Sequence, residues 1–549
     1  MSTSAPHPKS KSETRFQSEE SKRCQVLVIG AGLAGVSTAL LISKRLPRAN
    51  VVVVDKQTEL PREGHSQALT GPAGVFFQMA LHSAGLLARE HLPRHGEHFW
   101  FSRKPTNAFG ELTEIGADEF ASHPGQHVDT LRLAHSIYRT AELAGVRFLL
   151  GAEVSHVRVD WPASTAYLKQ AEGPLAMQAR WIVDATGNEG LISKQFELRQ
   201  SVDTPEYTKA VANWTRCTSF DELASVLPEK TDGELQPFTR SRELATHNFF
   251  GADWRASVFP NVAGGSSVQL EMDRERFESL RQVDSDLSAY SAFLRSRPGL
   301  RDLLRRAQIE PESFQLQHET DWRPKRSCDR GWILVGDAAG SLKTLFAAPL
   351  DSMARTIWNA AEIIALDLGS GGSEAHVVEH LRLHNLRERQ HDDSDEVVLH
   401  STTRALCGDA ALFSVAFSFR RSLRSLELAR MGRDLKYFTT LSWHTLWQQK
   451  LRRSVFGRLK KLAADRQKAG HYGRDNTGWQ LRLGPGEGTL RPLVAAALQW
   501  LRLEYQGLQV AMSPVPGDTK TPEAPEIARR LALLPRVEGS TTSPGPFSE

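Results

Sequence analysis

The segment Gly30-Ala31-Gly32-Leu33-Ala34-Gly35 constrains this chain more than any other. It directly follows the apolar run Cys24-Gln25-Val26-Leu27-Val28-Ile29, which reads as a buried parallel strand. A helix is expected from about Leu33 to Arg45, and Asn50-Val51-Val52-Val53-Val54-Asp55 reads as a second strand. A GxGxxG sequence means little alone; between a strand and a helix of one βαβ unit it specifies a dinucleotide-binding turn. Gly30 permits the tight turn, Gly32 lets the backbone approach a pyrophosphate, and Gly35 lets helix and strand pack closely. The N–H groups at the start of the helix, from Ala31 through Leu33 and Ala34, are then offered to phosphate oxygens. Asp55 lies twenty residues after Gly35, where a carboxylate accepts from ribose hydroxyls, with Lys56 beside it.

The rest of the chain supports an α/β fold: a Rossmann-like parallel sheet with an inserted antiparallel sheet and a helical C-terminal region. Asp129 to Ala144 reads as a helix, and Val146 to Asp160 and Ala166 to Gln170 read as strands. Trp181-Ile182-Val183-Asp184 reads as a buried strand ending in Ala185-Thr186-Gly187. Between about 205 and 320 the texture changes. Strand-like pieces from Phe249 to Asp273 are broken by Gly251, Pro260, Gly264 and Gly265, and Arg276 to Arg306 is helical. Trp332-Ile333-Leu334-Val335-Gly336-Asp337 returns to the parallel sheet, and from Ser352 onward the pattern is helical, with no strand signal of weight. The expected division is a disordered lead at 1–23, a dinucleotide-binding domain at 24–200 and 320–365, a substrate domain at 201–319, a helical region at 366–512 and a disordered tail at 513–549.

Composition excludes several classes. At 549 residues the chain can bury a large core, and a net charge of +4 without a nucleic-acid motif argues against DNA or RNA binding. The four cysteines are far apart, with no metal-ligand spacing and no disulfide framework, as in a cytoplasmic protein. The polar N-terminus lacks the apolar core of a signal peptide, and no apolar run is long enough to span a bilayer. Asp392-Asp393-Ser394-Asp395-Glu396 reads as a solvated acidic helix start rather than a metal site.

A second motif decides which dinucleotide. Val335-Gly336-Asp337-Ala338-Ala339-Gly340 follows a strand and leads into a helix. With the first motif, it resembles the flavoprotein group that contains aromatic hydroxylases, geranylgeranyl reductases and flavin-dependent halogenases. The resemblance implies FAD as cofactor and assigns Asp337, after Gly336, to its ribityl and pyrophosphate end. Asp184 and Gly187, on a segment that reads Asp-Ala-Thr-Gly where the hydroxylases have Asp-Gly, are placed near the adenosine.

Further segments resemble the halogenase branch, and the likeness spans residues 24 to 365. They are Glu63-Gly64-His65-Ser66, His91-Leu92-Pro93-Arg94-His95-Gly96-Glu97-His98-Phe99-Trp100-Phe101, and His247 through Pro260. Yet the catalytic positions depart from the branch. Arg94 stands where halogenases have the lysine that guides hypohalous acid, and arginine is held protonated where lysine is tunable. Trp254-Arg255-Ala256-Ser257-Val258-Phe259-Pro260 lacks the paired tryptophans of the branch. In the halide segment, Leu345-Phe346-Ala347-Ala348-Pro349-Leu350-Asp351, Pro349 has no N–H to offer and Asp351 brings a negative charge. Ala348 is the cofactor-side residue of that segment. His65 replaces the family's glutamate.

The resemblance therefore implies a FAD-dependent oxidoreductase of specialised metabolism, a monooxygenase or dehydrogenase, in a halogenase-like scaffold. Arg94, His95 and His65 are the candidate catalytic residues, with His91 and His98 as further candidate bases. An active halogenase and a non-catalytic flavin-binding partner in a biosynthetic complex stand as alternatives. With no second dinucleotide motif, a separate flavin reductase is expected. The substrate is expected to be a small molecule, free or carrier-protein-bound. Between Arg420 and Lys468 there are fourteen basic residues against Glu427, Asp434 and Asp465. This stretch reads as a solvated helix face, or else as a dock for an acidic partner or a membrane surface, which would make the protein peripheral to the membrane.

Overall fold

The computed structural model describes residues 22–104, 107–118, 125–202, 206–224, 242–251, 253–281, 285–341, 349–369, 373–391, 405–431, 443–483 and 501. Strand β1 (Lys22–Ile29), helix α1 (Leu33–Arg45) and β2 (Val51–Asp55) form the expected βαβ unit. Next come β3 (Ser66–Leu69), the short helix α2 (Gly71–Val75), β4 (Leu92–Arg94), β5 (Gly96–Phe101), β6 (Thr113–Asp118) and β7 (Gly125–Asp129). Helix α3 (Thr130–Leu143) follows, with Asp129 as its N-cap accepting from the N–H groups of Leu131 and Arg132 at 2.9 and 3.1 Å. Then come β8 (Arg147–Leu150), a hairpin at 153–158 and 164–170, and β9 (Gly173–Asp184). The chain continues through β10 (Tyr207–Thr215), β11 (Thr246–Phe250), β12 (Trp254–Pro260), β13 (Ser266–Asp273) and β14 (Trp332–Leu334). Helices α4 (Pro349–Leu368), α5 (Ala410–Met431) and α6 (Trp443–Lys468) precede a last strand, β15 (Gln480–Leu483).

Two large sheets carry the fold. In the first, β14, β9, β1, β2 and β8 run parallel in that order, and the hairpin is antiparallel to β9. Val26, Leu27, Val28, Val53, Val54, Ile182 and Val183 are fully buried because helices α1, α3 and α4 cover one face and the hairpin covers the other. The second sheet runs β10, β13, β12, β11, β5, β6, β15. It is antiparallel except where β5 meets β11 and β6 meets β15. A three-stranded sheet, β3-β7-β4, bridges the two.

Two expectations are corrected here. The second sheet is not confined to 201–319: it draws β5 and β6 from within 24–200. Nor is the C-terminal region strandless, because β15 pairs with β6 from Gln480↔Glu114 to Leu483↔Ala117. Pairing over such sequence distances leaves no local trace, since a four-residue edge strand has too few side chains to show a period.

Alternation along β5 fixes what each face of the second sheet does. His98 and Trp100 point to one side, where Trp100 stacks near Phe249 at 6.0 Å between centroids. That side is covered by the helices Arg274–Arg281, Asp286–Arg295 and Leu300–Leu303. Glu97, Phe99 and Phe101 point to the other, where Phe99 and Phe101 pack on Phe413 of α5 at 4.8 and 5.1 Å. Among the described residues no helix is long and apolar enough to cross a membrane.

Candidate functional site

The glycine turn sits at the C-terminal edge of the parallel sheet, above β1, between β9 and β2. Gly30 has φ +103, and a Cβ there would stand 2.5 Å from the carbonyl oxygen of Ala185. A Cβ on Gly35 would stand 1.8 Å from the carbonyl oxygen of Gly30, so these two glycines hold turn, helix and β9 in contact. Gly32 is different: it has ordinary backbone angles, and a Cβ there would meet no protein atom within 4 Å. The space is open where a pyrophosphate has to approach, at the N-terminus of α1, whose N-cap offers no side chain to the free N–H groups.

Asp55 closes the turn from β2. Its Oδ2 accepts from the N–H of Ala31 at 2.7 Å and its Oδ1 from that of Gln57 at 2.8 Å. Each oxygen keeps a second lone pair for a ribose hydroxyl. Lys56 stands on the solvent side and pairs with Glu189. The Gly336-Asp337 loop comes in from β14. Gly336, at φ +61, packs so closely on the turn that a Cβ would lie 2.8 Å from that of Ala34, and its N–H donates to Thr356 Oγ1 at 3.0 Å. This brings Asp337, half-buried, beside the turn. Gly187, at φ +63 with open space at its Cβ position, completes the rim. Leu33 is buried under the turn. Ala348 lies outside the described residues, as do Leu345, Phe346 and Ala347.

Asp184 is a correction. Its carboxylate is fully buried and accepts from Thr186 Oγ1 at 2.6 Å and from the N–H of Ile192 at 2.7 Å. Burial raises its pKa against these hydrogen bonds. It shapes the 185–190 turn that supports the cradle and presents no oxygen to a cofactor.

The candidate catalytic residues do not converge. His65 donates from Nε2 to the carbonyl oxygen of Ser313 at 2.7 Å, bolting its loop to the β10 edge, and burial lowers its pKa. Arg94 lies in the bridging sheet, 6% exposed. Its Nε donates to Thr246 Oγ1 at 2.7 Å, and its guanidinium stands 3.4 Å from Glu97 Oε2. Strand β7 lies between its strand and β3, which follows His65. His95 is half-buried and held by its backbone N–H on the Leu244 carbonyl at 2.8 Å. His91 is buried beside α3 with both ring nitrogens unpartnered, and burial brings its pKa down to about 4. His98 points to the far face of the second sheet, away from Arg94, and bonds Glu114 at 2.6 Å.

Several polar residues at these elements were not anticipated. On the far face, Glu114 is clamped between His98 and Arg242, whose guanidinium reaches it at 3.0 Å. Burial opposes its charge, but His98 and Arg242 prevail and hold its carboxyl below the usual range. His247 stacks on His98 at 5.0 Å. It accepts from the Trp100 indole and donates to the Arg242 carbonyl, which fixes a neutral ring. His127, fully buried on β7, donates to the Leu244 carbonyl at 3.0 Å and leaves Nδ1 unpartnered. Burial, with Arg94 nearby, drops its pKa to about 3. No spacing in the sequence relates these residues; pairing of β5, β6 and β11 does.

On the near face a polar row begins at Arg94 and Glu97. Asn248 donates to Glu97 at 3.0 Å and accepts from Ser257 at 2.7 Å. Helix α5 lies along the same face and reaches α2, where the arginine of Arg424 presses on Gly71. Arg424 pairs with Asp351, near the start of α4, whose other oxygen accepts from the N–H of Ala73 at 2.9 Å. Burial pushes the Asp351 carboxyl up against these partners. The basic stretch 420–468 is therefore not one surface. Arg420 and Arg424 turn inward, whereas Lys450, Arg453, Lys460, Lys461 and Lys468 are exposed on α6 above the buried Phe456, Leu459 and Leu462. Arg433 and Lys436 lie outside the described residues.

Residues 23–244 match the family model described as FAD binding domain. That part of the chain is a FAD-binding domain. No curated protein matches its sequence. In fold it is similar to halogenase PltM in complex with phloroglucinol and FAD, at 14% identity and a TM-score of 0.60, covering 89% of this chain and 94% of that one. It is similar to the flavin-dependent brominase Bmp2 at 18% identity and a TM-score of 0.56, covering 70% of this chain and 87% of the other. It is also similar to a flavoprotein/dehydrogenase from Cytophaga hutchinsonii at 15% identity and a TM-score of 0.60, covering 81% and 99%. At these identities the likeness establishes the fold of the flavoprotein. Gly30–Gly35, Asp55, Gly187, Gly336 and Asp337 form a cradle that fits FAD, with the open approach at Gly32 as its clearest mark.

Proposed function

We propose that this flavoprotein oxidises an organic substrate, by oxygen insertion or by dehydrogenation, and does not use halide. FAD, when bound, supplies the redox chemistry; the chain's residues hold it and the substrate. The carrying observation is Asp351. Its half-buried carboxylate occupies the segment that the halogenase resemblance assigns to halide, where it brings a negative charge and takes the Ala73 N–H and the Arg424 guanidinium. Arg94, in the place of the halogenase lysine, is engaged with Thr246 and Glu97, and a guanidinium is a poorer proton relay and nucleophile than a lysine amine. The row of Glu97, Asn248 and Ser257 beside it is bonded within the protein, Asn248 donating to Glu97 and accepting from Ser257.

We take the electron donor to be a separate flavin reductase and the setting to be specialised metabolism in the cytoplasm. The test incubates purified holoprotein with phenols, indoles and pyrroles, reduced FAD, oxygen and bromide, and reads products by mass. Gain of an oxygen atom or loss of two hydrogens supports the reading. A brominated product overturns it in favour of a halogenase. FAD that binds but never turns over would favour a non-catalytic partner.

A further inference from the structure

Whichever oxidation the protein performs, we infer that the turn Arg242–Leu244 is a strap that ties the bridging sheet to the second sheet through two neutral imidazoles, and that protons release it. The turn leads into β11. Toward the bridging sheet, the Leu244 carbonyl accepts from the His95 N–H at 2.8 Å and from His127 Nε2 on β7 at 3.0 Å. Toward the second sheet, the Arg242 carbonyl accepts from the Ala245 N–H at 3.0 Å and from His247 Nε2 on β11 at 2.9 Å. The Arg242 guanidinium reaches Glu114 on β6 at 3.0 Å. Glu243 ties the turn to Ser219 and to the Asp221 N–H, bonds that involve no imidazole. Thr246, two residues past the turn, accepts from Arg94 Nε at 2.7 Å, so a movement of the strap is felt at Arg94.

Each imidazole holds its carbonyl with Nε2–H, and neither has a place for a second proton on Nδ1. In His247, Nδ1 accepts from the Trp100 indole at 3.1 Å, and a proton there would set two donors against each other. The ring is fully buried and stacks on Phe220 at 3.5 Å and on His98 at 5.0 Å between centroids. The titratable and charged groups facing it are His98, Arg242 with its counter-ion Glu114, and His127. In His127, also fully buried, Nδ1 has no partner. It faces His95 and Arg94, whose guanidinium stands 3.4 Å from Glu97. A proton on either ring therefore makes a buried imidazolium beside an arginine. Burial accordingly lowers the pKa of both rings, that of His127 to about 3. Rings held below their ordinary value of 6.5 close the strap in full above that value, and the hold weakens as the pH falls through it. Both rings bond one short turn, so displacing that turn alone frees both Nε2 atoms while β5 and β11 stay paired.

The test follows amide hydrogen exchange of the FAD-loaded protein by mass spectrometry at pH 7.5 and 5.5, with rates corrected for the pH dependence of the chemical step. Opening that lets one ring regain a pKa of 6.5 grows about tenfold over that interval, and about a hundredfold for two rings. Peptides carrying the Ala245 and His95 amides, both bonded to strap carbonyls, are therefore expected to exchange about a hundredfold faster at pH 5.5. The amides of Val26–Ile29 in β1 are expected to stay protected over the same time. His127→Gln, whose amide still donates to the Leu244 carbonyl, is expected to lower the factor to about ten. An unchanged rate at the strap, loss of β1 protection together with the strap, or a full hundredfold factor in His127→Gln would overturn the inference. Should His127→Gln not fold, the strap and β1 peptides of the parent decide alone.

Discussion

Gly32 and Gly35 are two glycines of one motif, but the structure gives them opposite roles that a pair of substitutions separates. A Cβ at Gly35 would stand 1.8 Å from the Gly30 carbonyl oxygen. Reaching even a 3.0 Å contact demands a backbone shift of about 1.2 Å between α1 and the turn, an overpacking that costs roughly 1–3 kcal/mol. At Gly32, φ is −66 and ψ 177, and a methyl group meets no protein atom within 4 Å. Gly32→Ala is therefore expected to leave the cofactor-free fold within about 0.5 kcal/mol of the parent, or to stabilise it slightly by restricting the unfolded chain. The same methyl group stands where the pyrophosphate approaches, so FAD affinity is expected to fall at least tenfold, about 1.4 kcal/mol. Gly35→Ala is expected to lose both stability and FAD. Thermal unfolding of the FAD-free proteins and titration by quenching of FAD fluorescence measure the two effects. Parental FAD affinity in Gly32→Ala would refute the placement of the pyrophosphate, and destabilised apoprotein would refute the open space.

Three further outcomes are expected. Glu114→Gln leaves Arg242 and His98 without their buried counter-charge and should cost about 3–5 kcal/mol in denaturant unfolding; a cost under about 1 kcal/mol would mean that the clamp is not formed. Because the folded pKa of Glu114 lies below its ordinary value of 4.5, its contribution is full above that value and is lost as the pH falls through the depressed one, so the parent's acid unfolding should lie below pH 4.5 where this group governs it and the variant should lose that limb. Phe413→Ala, which empties a fully buried ring site between Phe99, Phe101 and Phe250, should cost about 3–5 kcal/mol and expose the α5 seam to limited proteolysis; unchanged proteolysis would argue that α5 is held elsewhere. Arg94→Lys, assayed with bromide, should yield no brominated product while Asp351 is present; bromination would show that Arg94 alone had silenced that chemistry.

The glycine turn, its strands and α1 were legible in the sequence because they are local. A strand, a turn and a helix within thirty-odd residues are specified by consecutive side chains, and the resemblance extended that reading to the Gly336-Asp337 loop and to FAD. Asp184 was misjudged because sequence position at a strand end does not reveal direction; its carboxylate turned inward to meet the N–H groups of its own loop. The candidate site was read only in part. Arg94 was identified, but its partner Thr246 comes from β11, 152 positions away.

Residue type and local spacing pointed to a bound dinucleotide and to the turn its phosphates approach, and the resemblance to halogenases implied that Arg94, Pro349 and Asp351 stand at that branch's lysine and halide positions. Only the tertiary structure decided that Asp351 is already partnered by Arg424, that His98 and His247 face away from Arg94, and that Arg420 and Arg424 turn inward while the α6 cations stay outside. The physical reason is that a helix or strand presents its side chains by period, whereas the neighbour each face meets is set by packing between elements that the chain itself keeps far apart.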